Sequence, residues 1–207
     1  GRHHHCARRP FFPLWRTQIG CGAIQGIDAV EVCVEVDISS GVPNFFIVGL
    51  PDASINEAKE RLRSAIKNAG FTFPMKKVLV NLAPGDLKKI GTGFDLPMAV
   101  GVLQSADYFP ENPWLENSCF VGELSLDGAI KPVKGVLAIA LMARNKGLKN
   151  IIVAKANEHE AALIEGLNVY GLNHLSELAI FFDNPEAWRC QMNAEESLRA
   201  HQEKIRD

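Results

Sequence analysis

The chain has 207 residues, 47% hydrophobic and 22% charged, with 22 Lys+Arg against 24 Asp+Glu and a net charge of −2. This is the balance of an ordinary soluble globular chain: it exerts no global pull on nucleic acid, and no apolar run approaches the roughly 20 residues that span a bilayer. Cys6, Cys21, Cys33, Cys119 and Cys190 form no C-x-x-C pair, which excludes a zinc ribbon or thioredoxin motif and fits the reduced thiols of a cytoplasmic protein.

Residues 1–16, GRHHHCARRPFFPLWR, carry no period and read as a non-native or disordered N-terminal arm outside the fold. Metal binding by His3, His4 and His5 would be adventitious. A first strand is expected over 18–24, and Gly26-Ile27-Asp28 turns the chain. Residues 29–38 then alternate, with Val30, Val32, Val34, Val36 and Ile38 on one side and Glu31, Cys33, Glu35 and Asp37 on the other. That period of two predicts a half-buried antiparallel strand. Phe45-Phe46-Ile47-Val48 supplies the next strand. A long helix follows Gly49-Leu50-Pro51-Asp52, with Ser54 and Glu57 spaced as a capping box and Asp52 as the competing cap. Ile55, Ala58, Leu62, Ala65, Ile66 and Ala69 share one face, and Gly70 ends the helix. Lys59, Glu60, Arg61, Arg63 and Lys67 lie opposite, a face expected to be solvated, with nucleic-acid contact as the rarer use of such a face.

The chain is organised around residues 78–102, VLVNLAPGDLKKIGTGFDLPMAVGV. A buried strand at 78–80 leads into a loop with Gly85, Gly91 and Gly93 carrying Lys88 and Lys89, and Asp95 reads as the N-cap of a helix to about Ser105. Such a helix end can offer N–H groups to an anion. A phosphate-binding P-loop would need Lys and then Ser or Thr after its last glycine; here Phe94 and Asp95 follow Gly93, so no ATP site of that kind is written.

Beyond the loop 106–117, residues 120–126 and 129–130 about Asp127-Gly128 predict a β-hairpin with a type I′ turn. A helix over 136–145, a strand over 150–154, a helix from Asn157 through Ile164, a strand over 167–171 and a helix over 174–182 complete the pattern. His159, His174 and His201 are isolated, and solvated or capping roles are expected of them. The order predicts an α+β domain: a mixed sheet with helices packed on it.

The segments GVPNFFIVGLPDASINEAKERLRSAIKNAGFTFPMKKVLVNLAP, GTGFDLPMAVGVL, FVGELSLDGAIKPVKGVLAIALMA and GLKNIIVAKANEHEAAL occur in that order. Together they resemble the N-terminal domain of the YifB/ComM family of Mg-chelatase-like AAA+ ATPases. The resemblance implies a fold like the Lon proteolytic domain and the second domain of a small-subunit ribosomal protein, over residues 17–185. It makes 186–207 a linker toward an AAA+ module that follows. ATP and Mg are implied for that module, with none in this chain. It also implies a homo-oligomer, hexameric at full length, that acts on DNA in branch migration and recombination during transformation.

Lon-type proteases carry a Ser in a G-P-S-A-G loop and a Lys in a G-G-L-K run, the amine taking the hydroxyl proton. Set against these runs, Gly93 falls at the nucleophile and Leu137 at the base. Thr92 is one position off, and Lys134 is about one helical turn early. The domain is therefore expected to be non-proteolytic, with no catalytic, cofactor or metal residue. Lys88, Lys89, Lys131 and Lys134 are the expected DNA or partner rim. The competing readings are a Ser-Lys peptidase using Thr92 and Lys134, and part of a metal-chelatase-like motor, for which no ligand cluster is visible in the sequence.

Overall fold

A computed structural model describes residues 17–206; the expectation for residues 1–16 lies outside the described residues. Strands β1 (Thr17–Gln25) and β2 (Asp28–Ser39) form an antiparallel hairpin. Gln25 faces Asp28 across a two-residue turn in which Gly26 takes a φ of 67°, the left-handed region glycine tolerates. Strand β3 (Asn44–Val48), helix α1 (Ala53–Asn68) and strand β4 (Lys77–Ala83) form a parallel crossover, and β4 then pairs antiparallel with β2. Helix α2 (Asp95–Ser105) runs behind this sheet.

Strand β5 (Ser118–Phe120) joins β1 in parallel. The chain leaves the sheet for a small hairpin, β6 (Glu123–Leu124) with β7 (Ile130–Lys131), and enters helix α3 (Val136–Asn145). Strand β8 (Asn150–Ala154), the short helix α4 (Glu158–Ala161), strand β9 (Asn168–Leu172) and helix α5 (Leu178–Asp183) follow. The result is a seven-stranded mixed sheet in the order β3-β4-β2-β1-β5-β8-β9, the α+β class expected. Among the described residues no helix is long and apolar enough to cross a membrane.

The core has two compartments, one on each face of the sheet. Val32, Val34 and Val36 of β2 and Val78, Val80 and Leu82 of β4 pack with α1, α2 and α5. Cys119, Ile151, Val153 and Val169 pack on the other face with α3 and α4. The alternation read in β2 thus marks the core face. Its opposite side is not wholly solvated: Glu35 is buried because Asn81 Nδ2 donates to its Oε1 at 2.7 Å.

Several local expectations are corrected. Helix α1 is capped by Asp52, whose Oδ1 accepts the Ile55 N–H at 3.0 Å; the Ser54 hydroxyl donates to that same carboxylate at 2.7 Å rather than capping the helix. On the basic face of α1, Arg61 turns inward and Arg63 lies over the rings of Phe45 and Phe73, 5.9 and 5.4 Å from their centroids. The predicted hairpin exists but begins later, because Phe120 belongs to the large sheet. Its turn is not type I′, which needs positive φ at both central residues. Ser125 N–H donates to Ala129 O, Gly128 N–H donates to Ser125 O, and only Gly128 is left-handed, at 94°. Helix α4 is short, and Asn157 does not cap it through its side chain. That amide instead clamps the Val133 backbone, accepting its N–H at 2.9 Å and donating to its carbonyl at 3.2 Å. After Pro185 the Cys190 N–H donates to Val169 O at 2.7 Å. Helix α6 (Ala194–Arg206) then packs on α4, with Lys204 Nζ donating to Ala156 O at 2.8 Å.

Candidate functional site

The parallel junction of β1 and β5 leaves a cleft of about 390 Å³, lined by 22–24, 90–94, Val121, Glu123, 132–134 and Ile139. Backbone zipping holds its two walls: Gly122 N–H donates to Gly93 O, and Leu96 N–H donates to Gly122 O, both at 3.0 Å. Gly93 has little room for a side chain, since a Cβ there would stand 3.0 Å from Val121 Cγ2. Thr92 lines the cleft, and its hydroxyl donates to Glu123 Oε2 at 3.1 Å. Lys134 also lines the cleft, with its side chain exposed. Leu137 stands on α3, 41% exposed, and its N–H donates to Glu160 Oε1 at 3.2 Å.

The lysines expected to share one rim have different fates. Lys88, Lys131 and Lys134 are exposed. Lys89 is not a rim residue: it is fully buried, and its ammonium donates to Gly49 O at 2.8 Å and to Pro84 O. Burial pushes its pKa below the ordinary 10.5, opposed by the Asp86 carboxylate. The Lys89 backbone is held too, donating to Leu50 O and accepting from Asp52 N–H, each at 2.9 Å. Asp52 completes the clasp by accepting the Gly91 N–H at 3.2 Å. Burial pushes the Asp52 carboxyl up, but the Ser54 hydroxyl and the Ile55 and Gly91 N–H groups outweigh it and hold it below 3.8.

Asp95 is not an N-cap but the first residue of α2, preceded by Phe94. Its N–H donates to Thr92 O at 3.1 Å, Leu96 N–H is taken by Gly122 O, and Pro97 has none. The helix end expected to offer donors to an anion has spent them internally. The buried Asp95 carboxylate faces away to Arg61 and to the Leu124 N–H, 3.0 Å from Oδ2. This helix end does not fit a nucleotide phosphate: its N–H donors are occupied, and Phe94 and Asp95 follow the last glycine where a Lys would be needed.

Three features were not legible locally. Glu123 lies in the predicted strand run 120–126, with no local sign that it takes the Thr92 hydroxyl. The Arg61–Asp95 pair joins positions 34 residues apart. Glu158, His159 and Cys190 bring their ligand atoms within 4.8 Å of one another, although His159 was expected to be solvated or capping. His174 does cap, accepting the Ser176 N–H in a box closed by Glu177.

A mixed-sheet α+β domain, with a cleft in which the Thr92 hydroxyl bonds the Glu123 carboxylate, is the class this architecture defines. The family model for subunit ChlI of Mg-chelatase matches residues 34–157, and the chain belongs to that family. The Haemophilus influenzae competence protein ComM is 41% identical over 164 residues, covering 79% of this chain and 32% of that protein. The Escherichia coli protein YifB is 40% identical over 185 residues, 89% of this chain and 36% of its own length. Lon protease 2 of Thermus thermophilus is 29% identical over 157 residues, 70% of this chain and 19% of that protease, a similarity that fits a Lon-like fold. The chain spans about a third of the length of the ComM and YifB proteins it matches.

Proposed function

We propose that this chain is the non-proteolytic accessory domain of a Mg-chelatase-like AAA+ ATPase, supporting ring assembly or DNA contact in branch migration and recombination during transformation. Membership of the ChlI family and the similarity to a competence protein support the setting. ATP and Mg belong, in this reading, to a module in the two-thirds of the relatives that this chain does not span. The complete protein is a cytoplasmic homo-hexamer.

One observation carries the non-proteolytic part. The Thr92 hydroxyl donates to the Glu123 carboxylate and not to an amine, and this reading sets the neighbouring Gly93, with Leu137, against the Lon nucleophile and base. A carboxylate is a weak base for a hydroxyl, and a group displaced by one residue rarely recovers attack geometry. The exposed Lys88, Lys131 and Lys134 are the cations this reading assigns to DNA or to a partner subunit. The test uses the full-length protein on forked DNA: binding should fall steeply with salt, and ATP hydrolysis should rise with DNA. Salt-insensitive binding, or ATP hydrolysis indifferent to DNA, would remove the DNA role.

A further inference from the structure

Away from the cleft, at the far edge of the sheet, α4 meets the segment that follows β9. Glu158 and His159 open α4, and Cys190 is held against β9 by the 2.7 Å bond from its N–H to Val169 O. Two buried polar atoms here have no hydrogen-bond partner, Glu158 Oε2 and His159 Nδ1. Glu158 is 6% exposed, so its orphaned oxygen is also shut off from water. Its other oxygen accepts from Lys155 Nζ at 2.9 Å. Gly171 leaves the space beside the free oxygen: a Cβ at that position would stand 2.6 Å from Oε2. A buried carboxylate oxygen and a buried imidazole nitrogen, both without donors, beside a thiol, form a donor set rather than a packing accident.

We propose that Glu158, His159 and Cys190 bind a zinc ion, one water completing the tetrahedron. The oxygen, nitrogen and sulfur ligands suit this borderline-soft cation. Zinc bonds of about 2.0–2.3 Å place tetrahedral ligand atoms roughly 3.3–3.7 Å apart. One ligand atom of each residue already lies within 4.8 Å of the others, close to that spacing. Lys155 keeps its bond to Oε1 and orients the carboxylate, leaving Oε2 for the metal. On binding, the Cys190 thiol gives its proton to solvent and the thiolate becomes the ligand. The ion would staple the segment leading to α6 onto α4, making the seating of that helix dependent on metal and on a reduced thiol.

The test is a titration of the metal-free full chain with Co(II), a zinc surrogate whose thiolate complex gives a near-ultraviolet charge-transfer band. His3, His4, His5 and Cys6 are first replaced by Ala, Ala, Ala and Ser, so that the N-terminal arm cannot supply the signal. The band should saturate at one equivalent and be displaced by zinc. It should vanish in Cys190→Ser, and affinity should fall at least about tenfold in His159→Asn. Zinc should also raise the thermal midpoint of the arm variant. Absence of the band in the arm variant, or its survival in a Cys190→Ser protein with unchanged circular dichroism, would overturn the proposal.

Discussion

Arg61 and Asp95 meet through two parallel bonds, Nε to Oδ2 and Nη2 to Oδ1, each 3.1 Å long. The pair fastens α1 to the start of α2 behind the cleft, and the Leu124 N–H adds a third bond to the same carboxylate. Asp95 is 1% exposed, so its charge is tolerable only with the guanidinium in place.

Arg61→Ala should therefore cost about 3–5 kcal/mol in chemical denaturation, since it leaves a buried carboxylate unpaired. Burial already pushes the Asp95 carboxyl above 3.8, against the pull of Arg61 and the Leu124 N–H. A raised folded-state value means that this group favours folding fully below pH 3.8 and loses that contribution as pH rises through the raised value. Without Arg61 the value rises further, so the stability gap between variant and wild type should widen from about pH 4 to pH 7. A gap independent of pH would show that Asp95 does not govern it.

Lys89→Met should cost about 1–3 kcal/mol, because the Gly49 and Pro84 carbonyls lose their donor and the loop loses its internal tie. The folded-state pKa of Lys89 lies below 10.5. Its favourable contribution is therefore complete above pH 10.5 and lost as pH falls through the depressed value. Wild type should gain stability relative to Lys89→Met as pH is raised toward 10.5. Parallel stability curves would contradict the buried placement.

What could be seen in the sequence was what repeats locally. The valines of β2 alternate with a period of two, and the apolar positions of α1 recur at helical spacing, so both elements and their core faces could be read directly. The mixed sheet followed from the order of such runs. The site could not be read this way. Nothing near Lys89 distinguishes it from the exposed Lys88; its partners are carbonyls brought there by the fold. Asp95 stands just past a glycine loop, after Phe94, at the head of an apolar helix, the pattern of a cap, yet Arg61 claims it from another element. Cys190 reaches Glu158 and His159 only because the chain past Pro185 returns to β9.

Helix α2 crosses β2 at Gly101, where an added Cβ would lie 2.6 Å from Val36 Cγ2. Both residues are buried, so the strand cannot simply yield. Gly101→Ala should cost about 1–3 kcal/mol by overpacking. Val36→Ala in the same chain should recover part of that loss, a coupling that a double-mutant cycle reads directly. Additive costs would mean that the two residues do not clash.

Charge reversal at Lys131 and Lys134 should lower the affinity of the full-length protein for forked DNA. It should also make the salt dependence shallower, by about one unit of slope for each phosphate no longer neutralised. The buried Lys89 is omitted from this set. Unchanged affinity and slope would leave the two side chains as solvated surface charge.

Hydrolysis of an unfolded protein substrate by the full-length protein with ATP and Mg measures the central claim most directly. Thr92 donates to Glu123, and the proposed reading sets Gly93 and Leu137 against the Lon nucleophile and base. Hydrolysis should accordingly be absent in the wild type and remain absent in Thr92→Ala and Lys134→Ala. Hydrolysis by the wild type that either substitution abolishes would contradict the account.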